Sequence, residues 1–187
     1  MRQTPLYLPE AAFAWIEPAT VPVMTTLARF VFVAVLFMYF INSGMTKLPD
    51  GLASLFSPSF NAFAQIFPRG AEAASYDITQ ASGFQKLVIL AGTWAEFILP
   101  TLILVGLYTR AAAFGMIGFI VVQSLTDMIG HGAAAGAWFD NLSDAAILDQ
   151  RAFWVFVLLY LVFRGGGPFS MDRVLFGGRA RSEEGLA

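Results

Sequence analysis

The sequence predicts an all-α protein, a transmembrane four-helix bundle with short interfacial helices. Three observations carry that prediction. Hydrophobic residues make up 57% of the chain and charged residues 13%, against roughly 45–50% and 25% in a soluble globular domain. Four segments reach or approach the about 20 mostly apolar residues that a helix needs to cross a bilayer. Between them, Gly, Pro and charged residues gather into connections. A chain of 187 residues has room for one domain, taken here as residues 1–187.

The stretch before the first span carries Arg2, Glu10, Glu17, Pro5 and Pro9. It lacks the compact apolar core of a cleavable signal, so the first span is expected to be retained. Pro9 to Glu17, with Phe13, Trp15 and Ile16, reads as a short helix on the membrane surface. The first span runs from Met24 to Met45, with Arg29 one turn in and Lys47 just past its end. The second and third, Phe84 to Tyr108 and Arg110 to Ile129, form a hairpin around the turn Gly106-Leu107-Tyr108-Thr109-Arg110. The fourth, residues 143–164, contains a purely apolar run of only twelve residues, Ala152 to Phe163. It reaches spanning length if Asp149, Gln150 and Arg151 occupy its outer turns, with Asp149 and Arg151 snorkelling to the interface.

The connection from Pro49 to Ser82 is long. Within it, Ser57-Pro58 reads as a helix N-cap followed by proline at the first helical position. Phe56, Phe60, Phe63 and Phe67 then recur at helical spacing up to Pro68, a stripe suited to the headgroup layer. Asp77 and Gln80 stand at capping-box spacing and are expected to start the second span. After Arg164, Gly165-Gly166-Gly167-Pro168 ends the last helix, and a tail with Arg173, Arg179 and Arg181 follows. Seven Lys or Arg residues fall on the side of the termini and four on the other. That bias predicts both termini in the cytoplasm.

Several chemistries are excluded. The chain has no cysteine, which removes disulfides and thiolate metal sites. Its one histidine, His131, cannot supply both ligands of a bis-histidine haem. The spacing of His131, Asp127 and Asp140 demands no metal. A net charge of -2 gives no reason to expect nucleic acid. No phosphate loop, nucleophile elbow or dinucleotide fingerprint is present.

Glu96 is the single charge between Lys86 and Arg110. A carboxylate at a helix centre costs roughly 2.5–3.5 kcal/mol on insertion scales. The twelve Leu, Ile, Phe and Val residues from Leu87 to Leu107 return about 5 kcal/mol on the same scale. The helix therefore inserts without needing a salt bridge. At 1.5 Å per residue, Glu96 lies about 15 Å from Lys86, near the bilayer centre. Pro100 follows it by four residues, where the missing N–H disturbs the bond to the Glu96 carbonyl and a kink would open space.

Two polar stripes point toward the same half of the membrane. Gln123, Asp127 and His131 are four residues apart, as are Tyr39, Ser43 and Lys47, with Asn42 beside them. Glu96, Asn42, Lys47, Gln123, Asp127 and His131 are the candidate ligand-binding residues, lining a polar pocket open to the outside. The competing reading leaves the polar groups at the span ends facing headgroup water. Glu96 is then a buried carboxyl bonded to a neighbouring helix. Arg29 and Arg110 fall at the inner face, where anchoring to lipid phosphates is their expected role.

The chain resembles the DoxX family of bacterial four-span membrane proteins from Arg29 to Asp172. The residues that carry the resemblance are Arg29 with Gly44-Met45-Thr46-Lys47-Leu48, then Glu96 with Gly106 to Ala112, then Gly167-Pro168-Phe169-Ser170-Met171-Asp172. The loop after the first span is longer than the family pattern. The resemblance implies a small membrane subunit or accessory protein of a quinone-linked redox or stress-response system. It brings quinone as the ligand and a soluble or membrane redox partner, leaves association with a second copy open, and assigns no catalytic residues. On this reading the chain is not an enzyme on its own. The rival readings are a proton-coupled transporter of a small solute and a scaffold that recruits a soluble partner through its basic tail.

Overall fold

The structure is a computed structural model that describes residues 16–49 and 51–184. Regular structure among the described residues is helical, and four helices are long and apolar enough to cross a membrane. These are α1 (Glu17–Met45), α4 (Gly83–Val105), α5 (Thr109–Gly130) and α6 (Ala146–Arg164). Two short helices, α2 (Phe60–Ile66) and α3 (Pro68–Ala73), lie between α1 and α4, and α7 (Met171–Glu184) follows α6. The surface helix expected over Pro9 to Glu17 lies almost wholly outside the described residues.

The first span begins earlier than its apolar run suggests. Pro18 sits in the first turn of α1, where the missing N–H has no intrahelical partner to lose. Further on, the Thr25 and Thr26 hydroxyls donate to the Val21 and Pro22 carbonyls at 2.6 and 2.8 Å. The helix then widens into a π turn over Val33–Phe37 before closing again. Phe32, Leu36, Phe40 and Gly44, four residues apart, are all buried. In a regular helix that spacing drifts by about 40° per step. The wide turn offsets the drift and holds one face of α1 inward along its length.

The main core joins the four long helices through Phe32, Leu36, Phe40, Ile103, Met116, Ile120, Leu158 and Leu161. Their outer faces carry Phe30, Phe114, Phe153, Phe156 and Phe163, each at least 65% exposed. An apolar surface of that extent needs a nonaqueous neighbour, and the bilayer supplies it. A second core gathers Ala62, Phe63 and Ala71 of the loop helices against Ile89 of α4. The expected aromatic stripe therefore divides: Phe63 is buried while Phe56 and Phe60 stay exposed.

Two expected caps are displaced. Ser59, not Ser57, caps α2, accepting from the Ala62 N–H at 3.1 Å while donating to the Lys47 carbonyl at 2.7 Å. A tertiary bond to the end of α1 selects between neighbouring serines. The second span starts from a capping box between Ser82 and Gln85, not from Asp77 and Gln80. Asp77 instead closes a short 3-10 turn over Ile78–Gln80. The Thr79 hydroxyl, then its backbone N–H, holds the Asp77 carboxyl below its usual range. At the other end of α4, Gly106 at φ 70° makes a Schellman closure.

The turn after α6 is tied back to the hairpin. Arg29 donates to the Gly166 carbonyl at 2.7 Å and the Phe169 carbonyl at 2.6 Å. Asp172 accepts from the Tyr108 and Thr109 N–H groups at 2.6 and 2.9 Å, capping α5 from a distant part of the chain. Its own N–H reaches the Gly106 carbonyl at 2.9 Å. A Cβ on Gly166 would stand 2.5 Å from the Thr109 hydroxyl, so the turn admits only glycine without a shift. Arg29 thus has a role that its place at the inner face did not show, tying the turn after α6 to α1 through two backbone carbonyls. Asp172→Ala strips the cap from α5 and is expected to lower stability by about 1–2 kcal/mol. Thermal loss of helicity in detergent measures it, and an unchanged midpoint would remove the cap from this account.

Candidate functional site

At the opposite end of the bundle, Lys47 and Glu96 form a buried ion pair. The Lys47 Nζ stands 2.8 Å from each Glu96 carboxylate oxygen, and the two side chains are only 6% and 3% exposed. The Ser43 hydroxyl donates to Glu96 Oε1 at 2.8 Å, and Lys47 also donates to the Ser43 carbonyl at 3.2 Å. Ser43 lies near the end of α1 and Lys47 four residues on, in the turn just past it. Gly44 between them lets α1 approach α4 closely, since a Cβ there would meet the Phe97 ring at 2.7 Å. Close approach is what brings a lysine from the span end to a carboxylate deep in the next helix.

The pair sits in the wall of a cavity of about 440 Å³ between α4 and α5. Val88, Ala91, Ala95 and Leu99 form one side, and Gly115, Gly118 and Val122 the other. α4 continues unbroken through Pro100. Ala91, Gly118 and Val122 line the cavity and are exposed at the same time. The cavity thus opens sideways, through the faces that the bilayer covers. Gln65 and Ile66 of α2 close its Lys47 end.

Five of the six sequence-predicted residues line this cavity: Lys47, Glu96, Gln123, Asp127 and His131. Asn42 does not. It is exposed, because one residue from Ser43 is about 100° around the helix, and its place among the candidates is corrected accordingly. Gln123 donates to the Tyr39 hydroxyl at 2.8 Å. His131, itself exposed, donates from Nε2 to the Gln65 carbonyl at 2.9 Å. The last turn of α5, Thr126–Gly130, is wound as a π turn, which helps keep this stripe on one face.

Asp127 also has a partner that sequence reasoning missed. It pairs with Arg151 of α6, whose other guanidinium nitrogen donates to the Ser124 hydroxyl at 2.8 Å. Arg151 was expected to snorkel to the interface; it is 7% exposed and stacks 5.9 Å from the Trp154 ring centroid. An acid within reach on the neighbouring helix holds it inside. Asp149 accepts from the Ala145 N–H at 3.0 Å at the start of α6. The signal available in the sequence was parity, a mid-stripe Asp in one span and an Arg in the next. Arg110 lies at the other end of the bundle, near Gly165. Among the described residues, no three His, Asp or Glu side chains gather as a metal site would require.

The arrangement can hold a neutral polar head beside an ion pair while its apolar remainder faces the bilayer. No curated protein and no solved structure matches the chain. A family model, DoxX, matches residues 24–127, which takes in most of the first and third spans, all of the second, and the Lys47, Glu96, Gln123 and Asp127 positions. The match covers more than half of the 187 residues. Together with four helices of spanning length, it makes this chain a multi-pass membrane protein of the DoxX family.

Proposed function

We propose that the protein is a small membrane subunit or accessory protein of a quinone-linked redox or stress-response system. In this reading it sits in the bacterial inner membrane with both termini cytoplasmic. The cavity between α4 and α5 takes the ring of a lipid-soluble quinone. One observation carries the reading: a cavity that opens toward lipid and ends on a buried Lys47–Glu96 pair. A water-borne solute has no need of a lateral, apolar entrance, whereas a carrier dissolved in the bilayer does.

The residues present suit such a ring. Glycine and alanine at positions 91, 92, 95, 115 and 118 leave flat walls on both helices. Both ion pairs at the cavity are internally compensated. A charged head would have to divide one of them in a low-dielectric site. A neutral head does not. When bound, a quinone supplies a two-electron, two-proton couple. The chain's part is to admit the ring from the side, to exclude bulk water, and to keep a carboxylate and an ammonium beside it.

Gently purified protein is expected to carry quinone in near-stoichiometric amount, measured by extraction and absorbance before and after reduction. Protein without quinone, but with Glu96-dependent solute flux in liposomes, would replace this reading with transport. A C-terminal reporter that reads from outside would reverse the orientation.

A further inference from the structure

The end of the bundle away from Lys47 gathers arginines and leaves most of them without a partner. We infer that Arg110, Arg164 and Arg173 form a site for the phosphate headgroup of an anionic phospholipid.

Named contacts bring the three to one place. Asp172 accepts from the Thr109 N–H at 2.9 Å and donates its own N–H to the Gly106 carbonyl at 2.9 Å. The residues that follow in each chain segment, Arg173 of α7 and Arg110 of α5, are thereby held near one another. A Cβ built on Gly165 would stand 3.4 Å from Arg110 Nε. The Arg110 side chain therefore lies over the residue that follows Arg164, the last of α6. Packing of α5 along α6 fixes that arrangement.

All three arginines are exposed. Among the described residues, none of their side chains makes a hydrogen bond or an ion pair, and both ion pairs lie at the other end. Arg29 differs, because the Gly166 and Phe169 carbonyls engage it. Asp172 is the acid of this cluster, and its two oxygens accept from the Tyr108 and Thr109 N–H groups. Four guanidinium groups thus stand around one carboxylate whose oxygens are already bonded. A guanidinium presents a planar fork of donors that fits two phosphate oxygens at once.

The surroundings of the arginines select a phosphate that carries apolar chains. Phe114, one turn from Arg110 on α5, and Phe163, beside Arg164, are exposed at 70% and 71%. Val174 and Leu175, which follow Arg173, are exposed as well. Tyr108 is exposed and its ring meets Phe176 at 5.7 Å, and tyrosine is enriched at the level of lipid headgroups. Cations set next to bare apolar side chains match the two parts of a lipid. A zwitterionic headgroup brings a cation of its own, which unpaired arginines repel. A headgroup of net negative charge brings none, and each arginine near it adds attraction.

The test uses the full chain purified in a mild detergent and given an equimolar mixture of phosphatidylglycerol and phosphatidylcholine. Native mass spectrometry then reads the lipid retained. Phosphatidylglycerol is expected to be retained about tenfold over phosphatidylcholine. The double variant Arg110→Gln with Arg164→Gln is expected to lower that ratio at least about threefold, with an unchanged melting midpoint to show that the fold is kept. Arg69→Gln removes an exposed charge at the other end and is expected to leave the ratio as it is. Excess inorganic phosphate is expected not to displace the lipid. Equal retention of the two lipids, an unchanged ratio in the double variant, or an equal fall in Arg69→Gln would overturn the inference. Displacement by inorganic phosphate would overturn it too, by assigning the arginines to a soluble anion.

Discussion

Lys47→Met is expected to destabilise the protein by about 3–5 kcal/mol, because it leaves a carboxylate buried without its counter-charge. Glu96 is 2% exposed, and without Lys47 its remaining partner is the Ser43 hydroxyl. The same change at an exposed lysine would cost less than about 1 kcal/mol. The double variant Lys47→Met with Glu96→Leu replaces both charges by apolar groups and is expected to recover most of the loss. A double-mutant cycle on thermal unfolding in one detergent measures the coupling. If the single variant melts with the parent protein, the pair is not what holds α1 against α4. The cycle also separates two roles: a recovered fold that no longer retains ligand assigns the charges to binding.

Gly118→Leu is expected to abolish ligand retention, at least tenfold, with the fold intact. Gly118 lines the cavity, and a Cβ built on it meets nothing within 4 Å. A leucine there grows into the space a ligand would occupy and not into the backbone of a neighbour. Exchanging glycine for leucine inside a helix also gains up to about 1 kcal/mol of propensity. Stability should therefore hold or rise while bound quinone falls, measured by melting and extraction on the same preparation. Gly115 offers a less clean test, since its Cβ would stand 3.2 Å from Leu99. Undiminished quinone in the Gly118→Leu protein would place the ligand elsewhere.

The motif residues behind the family resemblance divide into two structural jobs. Gly44, Lys47 and Glu96 build one wall of the cavity. Arg29, Gly106, Thr109, Gly167 and Asp172 lie in the bonded turn at the other end, where the last span is tied to the hairpin. The sequence showed these positions as pieces at the span ends. That they form two clusters follows from helices folding back on one another.

Much of the cavity was also legible. Glu96 stood out as a lone charge in an apolar run, and the Gln123, Asp127 and His131 stripe followed from helical spacing. The Lys47–Glu96 pairing did not, because 49 residues separate the partners and no local rule links them. Arg151 was misjudged for a related reason. A charge near a span end snorkels by default, and only an acid on the facing helix changes its course.

The number of spans, their approximate bounds and the presence of one carboxylate inside the second were determined by the sequence alone. Insertion depends on the composition and length of each segment by itself, and four segments have both. The tertiary structure decided which charges meet, which serine caps α2, and that Asn42 turns outward while Ser43 turns in. Those outcomes depend on helical phase, where one residue is worth about 100°. Three π turns, at Val33–Phe37, Thr126–Gly130 and Ala146–Gln150, adjust that phase. Packing between helices sets their winding, which the order of residues within one helix does not reveal.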